Sequence, residues 1–463
     1  MKKFFAAAAA VLLSLLTAVS ASAEGYVMKK KSSFYEKIIR YESEYVISLS
    51  LGNGVIGFGT PAVASGLSVA TMPEADGVSP EVYSTWPCTR VVPYFSAFAA
   101  LGLCENAYKG GKDTVLAYIN WYISHMNTAQ SDVNGVAGTV YDYYCFVDPS
   151  DPKHVIEVTY MDALGDKTRN YDSTDSYAAT FLKLLCSYTD NYDPDFLNDK
   201  AGLIETLVGT IYSTYCSDIG LTGAKPDYMV CYLMDNCEVY EGLAAISEKF
   251  PEYAEKAEQI RQGIIGALDS GKGYYYPAVF ENGSSAYEMG DTASFEYYPQ
   301  ATSQLFPIIF GVTEKDSDMS ETLYTLFNSL YGIKGVSGKD WTRIDAGSGY
   351  PWALNLRAAV IMEDWERAED FVESVYTKFV SAGHPYPYYC AEAGHILIAV
   401  GELMEKAFDS TVEDSSVSGD ADTSVSGSGN GFIKALPYIA LAAAVIGGAA
   451  AVIFAVRYKP KKK

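Results

Sequence analysis

The sequence predicts an all-α protein built as a ring of paired helices, an (α/α)6 toroid with a small N-terminal β-hairpin and one C-terminal transmembrane helix. Three observations lead there. From Pro93 onward, apolar residues recur at helical spacing in eleven successive segments. Those segments alternate between apolar on every side and apolar on one face, which is the pattern of buried inner helices and amphipathic outer ones. The body between the two chain ends, residues 24–408, is too long for an ordinary single domain unless it closes as a barrel or ring.

Taken in order, Met1 to Ala23 reads as a secretory signal: Lys2 and Lys3, an apolar run from Phe4 to Val19, then Ala21-Ser22-Ala23 before Glu24. Tyr45 to Leu51 alternates like a strand, and Gly52-Asn53-Gly54 turns the chain into Val55 to Phe58, which predicts a hairpin over 45–58. Gly52 to Gly57 also fits G-x-G-x-x-G, but Phe58-Gly59-Thr60-Pro61 follows where a dinucleotide site needs a helix, so no nicotinamide cofactor is expected. Helices are expected near 93–106, 111–127, 174–191, 197–216, 228–249, 251–269, 299–312, 318–332, 351–363, 365–381 and 388–408. The twelfth helix of the ring falls at Ser33 to Ser43 or in the poorly periodic region 60–90.

Beyond the ring, Asp409 to Asn430 holds seven Ser and five acids with no aromatic, a composition that cannot bury a core and reads as a linker. Ala435 to Val456 is 22 uncharged residues, which at about 1.5 Å per residue crosses roughly 30 Å of hydrocarbon. Arg457, Lys459 and Lys461 to Lys463 follow at residues 457–463, placing that tail in the cytoplasm and the large domain outside the cell, held by a single pass.

The whole-chain charge of −23 is an average of unlike parts. Both ends are cationic, so the body between them carries 26 basic residues against 57 acidic ones, a net of −31. Nucleic acid is excluded as a partner, and neutral glycans or small molecules fit better than anionic polymers. The eight cysteines (Cys88, Cys104, Cys145, Cys186, Cys216, Cys231, Cys237, Cys390) and four histidines show no zinc spacing, so no metal is expected, while one or two disulfides are open to an exported chain. No G-x-S-x-G, H-E-x-x-H, P-loop or EF-hand pattern is present in the body.

What remains is acids at the entrances of apolar helices. Asp172 and Asp175 flank the start of the helix carrying Tyr177, where they also suit a capping box. Asp235, Asn236 and Glu238 interrupt an otherwise apolar segment, and a buried charge is costly unless paired or facing a wet cavity. Asp142, followed by Tyr143, and Glu296, followed by Tyr298, are loop acids among aromatics. Asp345 and Glu392 precede or open later inner helices. Glycoside hydrolysis needs one protonated carboxyl and one carboxylate, and tyrosine or tryptophan faces suit sugar rings. Asp175 and Asp235 are therefore the first acid and base candidates, with Asp142, Glu238 and Glu296 in reserve. Asp172, Tyr94, Tyr143, Tyr177, Asn236, Tyr298, Trp352 and Tyr388 are the candidate substrate contacts.

Val92-Pro93-Tyr94-Phe95, Gly138-Thr139-Val140-Tyr141-Asp142, Asp172-Ser173-Thr174-Asp175-Ser176-Tyr177, the stretch Met234 to Tyr240, and Tyr298-Pro299-Gln300 carry a resemblance. Over residues 85–408 the chain resembles the six-hairpin glycosidase superfamily of toroids. The resemblance implies a carbohydrate-active protein with carboxyls in a central cleft, and it matches Asp175 to the cleft aspartate opening an inner helix. The signal, linker, single span and lysine tail resemble a Gram-positive surface protein. The expected function is hydrolysis of an oligo- or polysaccharide. The alternatives are a non-catalytic glycan-binding protein on the same fold, or a sugar epimerase or polysaccharide lyase using His384 or His395.

Overall fold

The computed structural model describes residues 32–269 and 271–414. The expected signal at 1–23, the span at 435–456 and the basic tail lie outside the described residues. The chain runs α1 (Ser32–Ser48), β1 (Ala62–Val63), α2 (Pro80–Tyr83), β2 (Pro87–Val91), α3 (Pro93–Glu105), α4 (Gly111–Ser124), β3 (Tyr143–Val147), β4 (Val155–Thr159) and α5 (Tyr160–Leu164). It continues with α6 (Asp175–Asn191), α7 (Ala201–Tyr212), β5 (Tyr215–Cys216), β6 (Leu221–Thr222), β7 (Val230–Tyr232), α8 (Leu233–Ser247), α9 (Ala254–Gly263) and β8 (Ala278–Phe280). The last elements are α10 (Phe306–Ile309), α11 (Asp318–Tyr331), α12 (Leu354–Ile361), α13 (Trp365–Lys378) and α14 (Cys390–Asp414).

The helices form two concentric rings. In the inner one α3 packs on α6, α6 on α8, α8 on α10, α10 on α12, α12 on α14, and α14 returns to α3. Outside it, α1 covers α14 and α3, α4 covers α3, α7 covers α6, α9 covers α8, and α13 covers α12. The alternation follows from side-chain distribution. In α3, a proline at the first helical position after extended Val92 starts a segment whose residues from Ser96 to Cys104 are all buried. In α13, Asp364 caps the helix by accepting from the Arg367 amide at 3.3 Å, and only one face is buried.

Two inner seams depend on glycine. A Cβ on Gly394 of α14 would lie 2.2 Å from the Phe98 carbonyl oxygen of α3, and one on Gly242 of α8 would lie 2.3 Å from that of Ala179 in α6. Both neighbours are backbone and cannot step aside.

Several expectations are corrected. The chain is not all-α: a four-stranded antiparallel sheet, β1-β2-β3-β4, and two two-stranded sheets interrupt the helical ring. The expected transmembrane helix is not supported: among the described residues no helix is long and apolar enough to cross a membrane, and 435–456 lies outside them. The expected hairpin over 45–58 is instead the end of α1 and a turn. Tyr35, Ile38, Ile39, Glu42, Tyr45, Val46 and Leu49 fall on one buried helical face, and only an isolated bridge joins Ser50 to Ile56. The apolar run Tyr45 to Leu51 satisfies both periods, and packing on α14 selects the helical one. This makes α1 the twelfth helix.

The inner helix expected at 299–312 is broken into short turns over Tyr297–Ala301 and Thr302–Leu305 before α10. Pro307 has no amide to donate and its ring crowds the preceding turn, while Tyr298 is extended (φ −130°, ψ 132°). The expected helix 228–249 begins as a strand, because Val230 to Tyr232 pair with Ala278 to Phe280.

The seam geometry yields a stability prediction. Gly394→Ala is expected to cost about 1–3 kcal/mol through overpacking, whereas Gly202→Ala in α7, where a Cβ meets nothing within 4 Å, is expected to be neutral or stabilising. Thermal unfolding of the two variants compares them directly.

Candidate active site

The beginnings of the inner helices meet at one end of the ring. Tyr94, second residue of α3, stacks on Tyr177 of α6 with centroids 5.8 Å apart. Tyr298 lies 5.2 Å from Trp352, just before α12, and Tyr389, just before α14, lies 5.0 Å from Phe95 of α3. Glu392 of α14 accepts from the Trp352 and Ala353 amides at 3.2 and 2.7 Å, satisfying donors at the start of α12. The residue preceding each of α3, α6, α8 and α12 makes no side-chain cap bond; at α6 the Ser176 amide is met by Ser173 Oγ and Asp175, and at α12 Glu392 takes that part, so carboxyl groups occupy the positive ends of these two helices.

Carboxyls gather there. Asp175 opens α6 and is fully buried; its Oδ1 accepts from Ser173 Oγ and from the Ser176 amide at 2.9 Å, and its Oδ2 has no partner. Burial pushes its carboxyl up to about 6, opposed by the Ser173 hydroxyl. Asp235, on the first turn of α8, is partly exposed. Loss of hydration, then the charges of Asp175, Glu238 and Asp172, raise its carboxyl well above the ordinary range. Glu238, one turn further and buried, receives the Tyr94 hydroxyl. Its carboxyl is also raised by burial, with the nearby Arg357 acting the other way.

Asp172 precedes α6 and is exposed to water, although the surrounding walls still raise its carboxyl, opposed by Lys225. Asp142, just before β3, is buried, accepts from Tyr177 at 3.0 Å, and is pushed up to about 8 by burial and then by Asp172. Arg90 of β2 and Lys225 act against that rise. The sheet absent from the expected fold thus places Asp142 and Arg90 at the rim.

The candidate residues divide accordingly. Asp142, Asp172, Asp175, Asp235, Glu238, Tyr94, Tyr177, Tyr298 and Trp352 come together. Glu296 is exposed and lies beside Tyr331 of α11, outside the cluster. Asn236 is fully buried and spent: its amide joins the Thr222 and Tyr232 carbonyls at 2.9 Å each, and its oxygen accepts from the Thr222 amide and hydroxyl. Tyr143 packs edge-on against Trp121 and His125 behind the sheet. Tyr388 is buried against Tyr45 and Phe379, and its neighbour Tyr389 faces the cluster instead.

Neither histidine serves the cleft. His395 is buried against Phe98, and burial followed by the Arg357 charge lowers its pKa well below the usual value. His384 stacks on Tyr45 at 3.9 Å and meets the buried Glu42 at 3.3 Å. Arg357, Lys225 and Tyr389 were missing from the candidates. Arg357 had a signal, a lone cation within an apolar helical segment. Among the described residues no group of three or more His, Cys, Asp or Glu could hold a metal ion, and the eight cysteines are free, with Cys216 and Cys231 Sγ atoms 3.9 Å apart.

Solved structures share this architecture. A glycosidase variant in complex with glucose aligns with a TM-score of 0.51 at 12% identity, covering 82% of this chain and 99% of that one. A D-mannose isomerase aligns with a TM-score of 0.50 at 11% identity, covering 82% and 100%. The chain has the six-hairpin glycosidase-like fold. At such identities the likeness is one of fold alone. No family model and no curated relative matches the sequence.

The carboxyl environments set a pH dependence. Folded values near 8 for Asp142, 6 for Asp175 and 7 for Glu392 lie above the ordinary 3.8 to 4.5, so burial favours the protonated forms. Their contribution to stability is fully present below the ordinary values and is lost as pH rises through the folded ones. The melting temperature is expected to fall between about pH 4 and about pH 8. Asp142→Asn is expected to flatten the upper part of that fall; a scan with the same slope as wild type removes Asp142 from the account.

Proposed function

We propose that the protein is a carbohydrate-active enzyme that hydrolyses glycosidic bonds of a neutral glycan, with Asp235 as the acid and Asp172 as its carboxylate partner. One observation carries the reading: these two carboxyls reach water within a cluster whose other acids are buried, and their surroundings differ in sign. Asp235 is flanked by Asp175, Glu238 and Asp172, so it holds its proton. Asp172 has Lys225 beside it and stays the more acidic of the two. A pair whose environments push the two carboxyls apart divides acid from base.

Asp235 would give its proton to the bridging oxygen as the bond to the anomeric carbon breaks. Asp172 would take a proton from the incoming water or attack the carbon itself, the outcome depending on the separation of the two carboxyls. Asp175, fully buried, acts through its neighbours and is a positioning residue: its charge helps keep Asp235 protonated. Tyr298 and Trp352 offer faces for the sugar ring. The net charge of −31 on the body favours neutral over acidic glycans. The pattern Lys2 to Ala23 supports action outside the cell.

Asp172→Asn and Asp235→Asn are each expected to lower kcat by about 10²–10⁴-fold on neutral oligosaccharides, with circular dichroism unchanged. If both variants cleave at the wild-type rate, the assignment is wrong. Tight binding by wild type without product would instead identify a glycan-binding protein.

A further inference from the structure

Two of the most exposed tyrosines precede inner helices that face each other across the ring, Tyr228 before α8 and Tyr386 before α14. Tyr228 is 44% exposed and its hydroxyl meets that of Tyr232 at 3.2 Å; Tyr232 immediately precedes α8 and stands three positions before Asp235. On the other side Tyr386 is 61% exposed, and its hydroxyl meets that of Tyr350 at 2.8 Å. The Tyr350 ring lies edge-on to Tyr389, with centroids 6.5 Å apart.

The two ends are joined across the site. Tyr298 faces Asp172, Asp235 and Glu238, and it also neighbours Tyr389. Trp352 packs against it at 5.2 Å. Scattered aromatic rings on a surface need no explanation, but these are continuous with one another and with the acids. Each hydroxyl is paired with a second tyrosine at the rim, which holds the rings in place and leaves apolar faces with a polar edge. A pocket for a terminal sugar is closed on one side of its acids. Here exposed tyrosine pairs stand at the entrances of both α8 and α14, across the ring from each other.

We infer that a glycan chain lies across the end of the ring, held on one side of the carboxyl pair by Tyr228 and Tyr232 and on the other by Tyr350 and Tyr386, so that bonds inside the chain are cut. This rests on the proposed hydrolysis and names its substrate as a polymer of neutral sugars. Tyr228→Ala and Tyr386→Ala remove one exposed ring each and leave the buried core untouched.

The probes are cellohexaose, xylohexaose, mannohexaose and maltohexaose with the matching disaccharides, followed by calorimetry and by product analysis. For whichever hexasaccharide binds, each variant is expected to weaken binding by about fivefold, the double variant by more, and the loss is expected to shrink as the chain shortens. Where wild type cleaves, products of two to four units are expected from the start. Removal of single units from one end, or hexasaccharide binding by both variants equal to wild type, overturns the inference. Binding weakened by both tyrosine changes with no cleavage by wild type keeps the chain path and overturns only the hydrolysis, so the two readings fail separately.

Discussion

The contact of α14 with α3 closes the ring, and the site depends on it. It joins the last described helix to the first inner one, across nearly three hundred residues, as shown by Gly394 lying against the Phe98 carbonyl and Gly102. Only a glycine permits backbones so close that any Cβ would overlap a carbonyl oxygen. Because the inner helices alternate with outer ones, each enters the ring in the same direction. Closure therefore brings Tyr94, Asp175, Asp235, Trp352 and Glu392 to one end, although they are separated by tens to hundreds of positions.

That convergence sets opposing terms against each other. Helix beginnings attract negative charge, whereas burial disfavours it, and neighbouring carboxyls disfavour it further. At Asp235 and Glu238 burial and repulsion prevail. The cluster consequently stores unfavourable free energy at neutral pH, offset by the continuous apolar core between the two rings. Sites that divide protons between acid groups are commonly arranged in this way. The remaining cations are placed selectively: Lys225 and Arg90 act on the Asp142 and Asp172 side, while Arg357 faces Glu238 and pairs with Glu241 at 3.5 Å deeper in the ring.

The double ring was legible because it is written in local periodicity. Segments such as Pro93 to Glu105 and Trp365 to Lys378 differ in how many sides are apolar, and that difference survives folding unchanged. Elements decided by partners far away were not legible. Tyr45 to Leu51 satisfies a period of two and a helical face equally, so only the packing of α1 on α14 selects between them. Val230 to Tyr232 became a strand because Ala278 to Phe280 lie alongside. Tyr388 and Tyr389 are adjacent and identical in type, yet one is buried beneath His384 and the other faces the acids.

Composition and spacing within single segments are enough to predict the ring of inner and outer helices, the acidic body, and a short set of acids at helix entrances. Tertiary structure alone decided which of those acids meet water. Asp172 and Asp175 are three positions apart, but one precedes the helix and is exposed while the other sits in the first turn, facing Ser173 and Asp235 of the neighbouring helix. Exposure, and with it the division of acid from base, depends on what stands across the ring, and that information is not local to any stretch of chain.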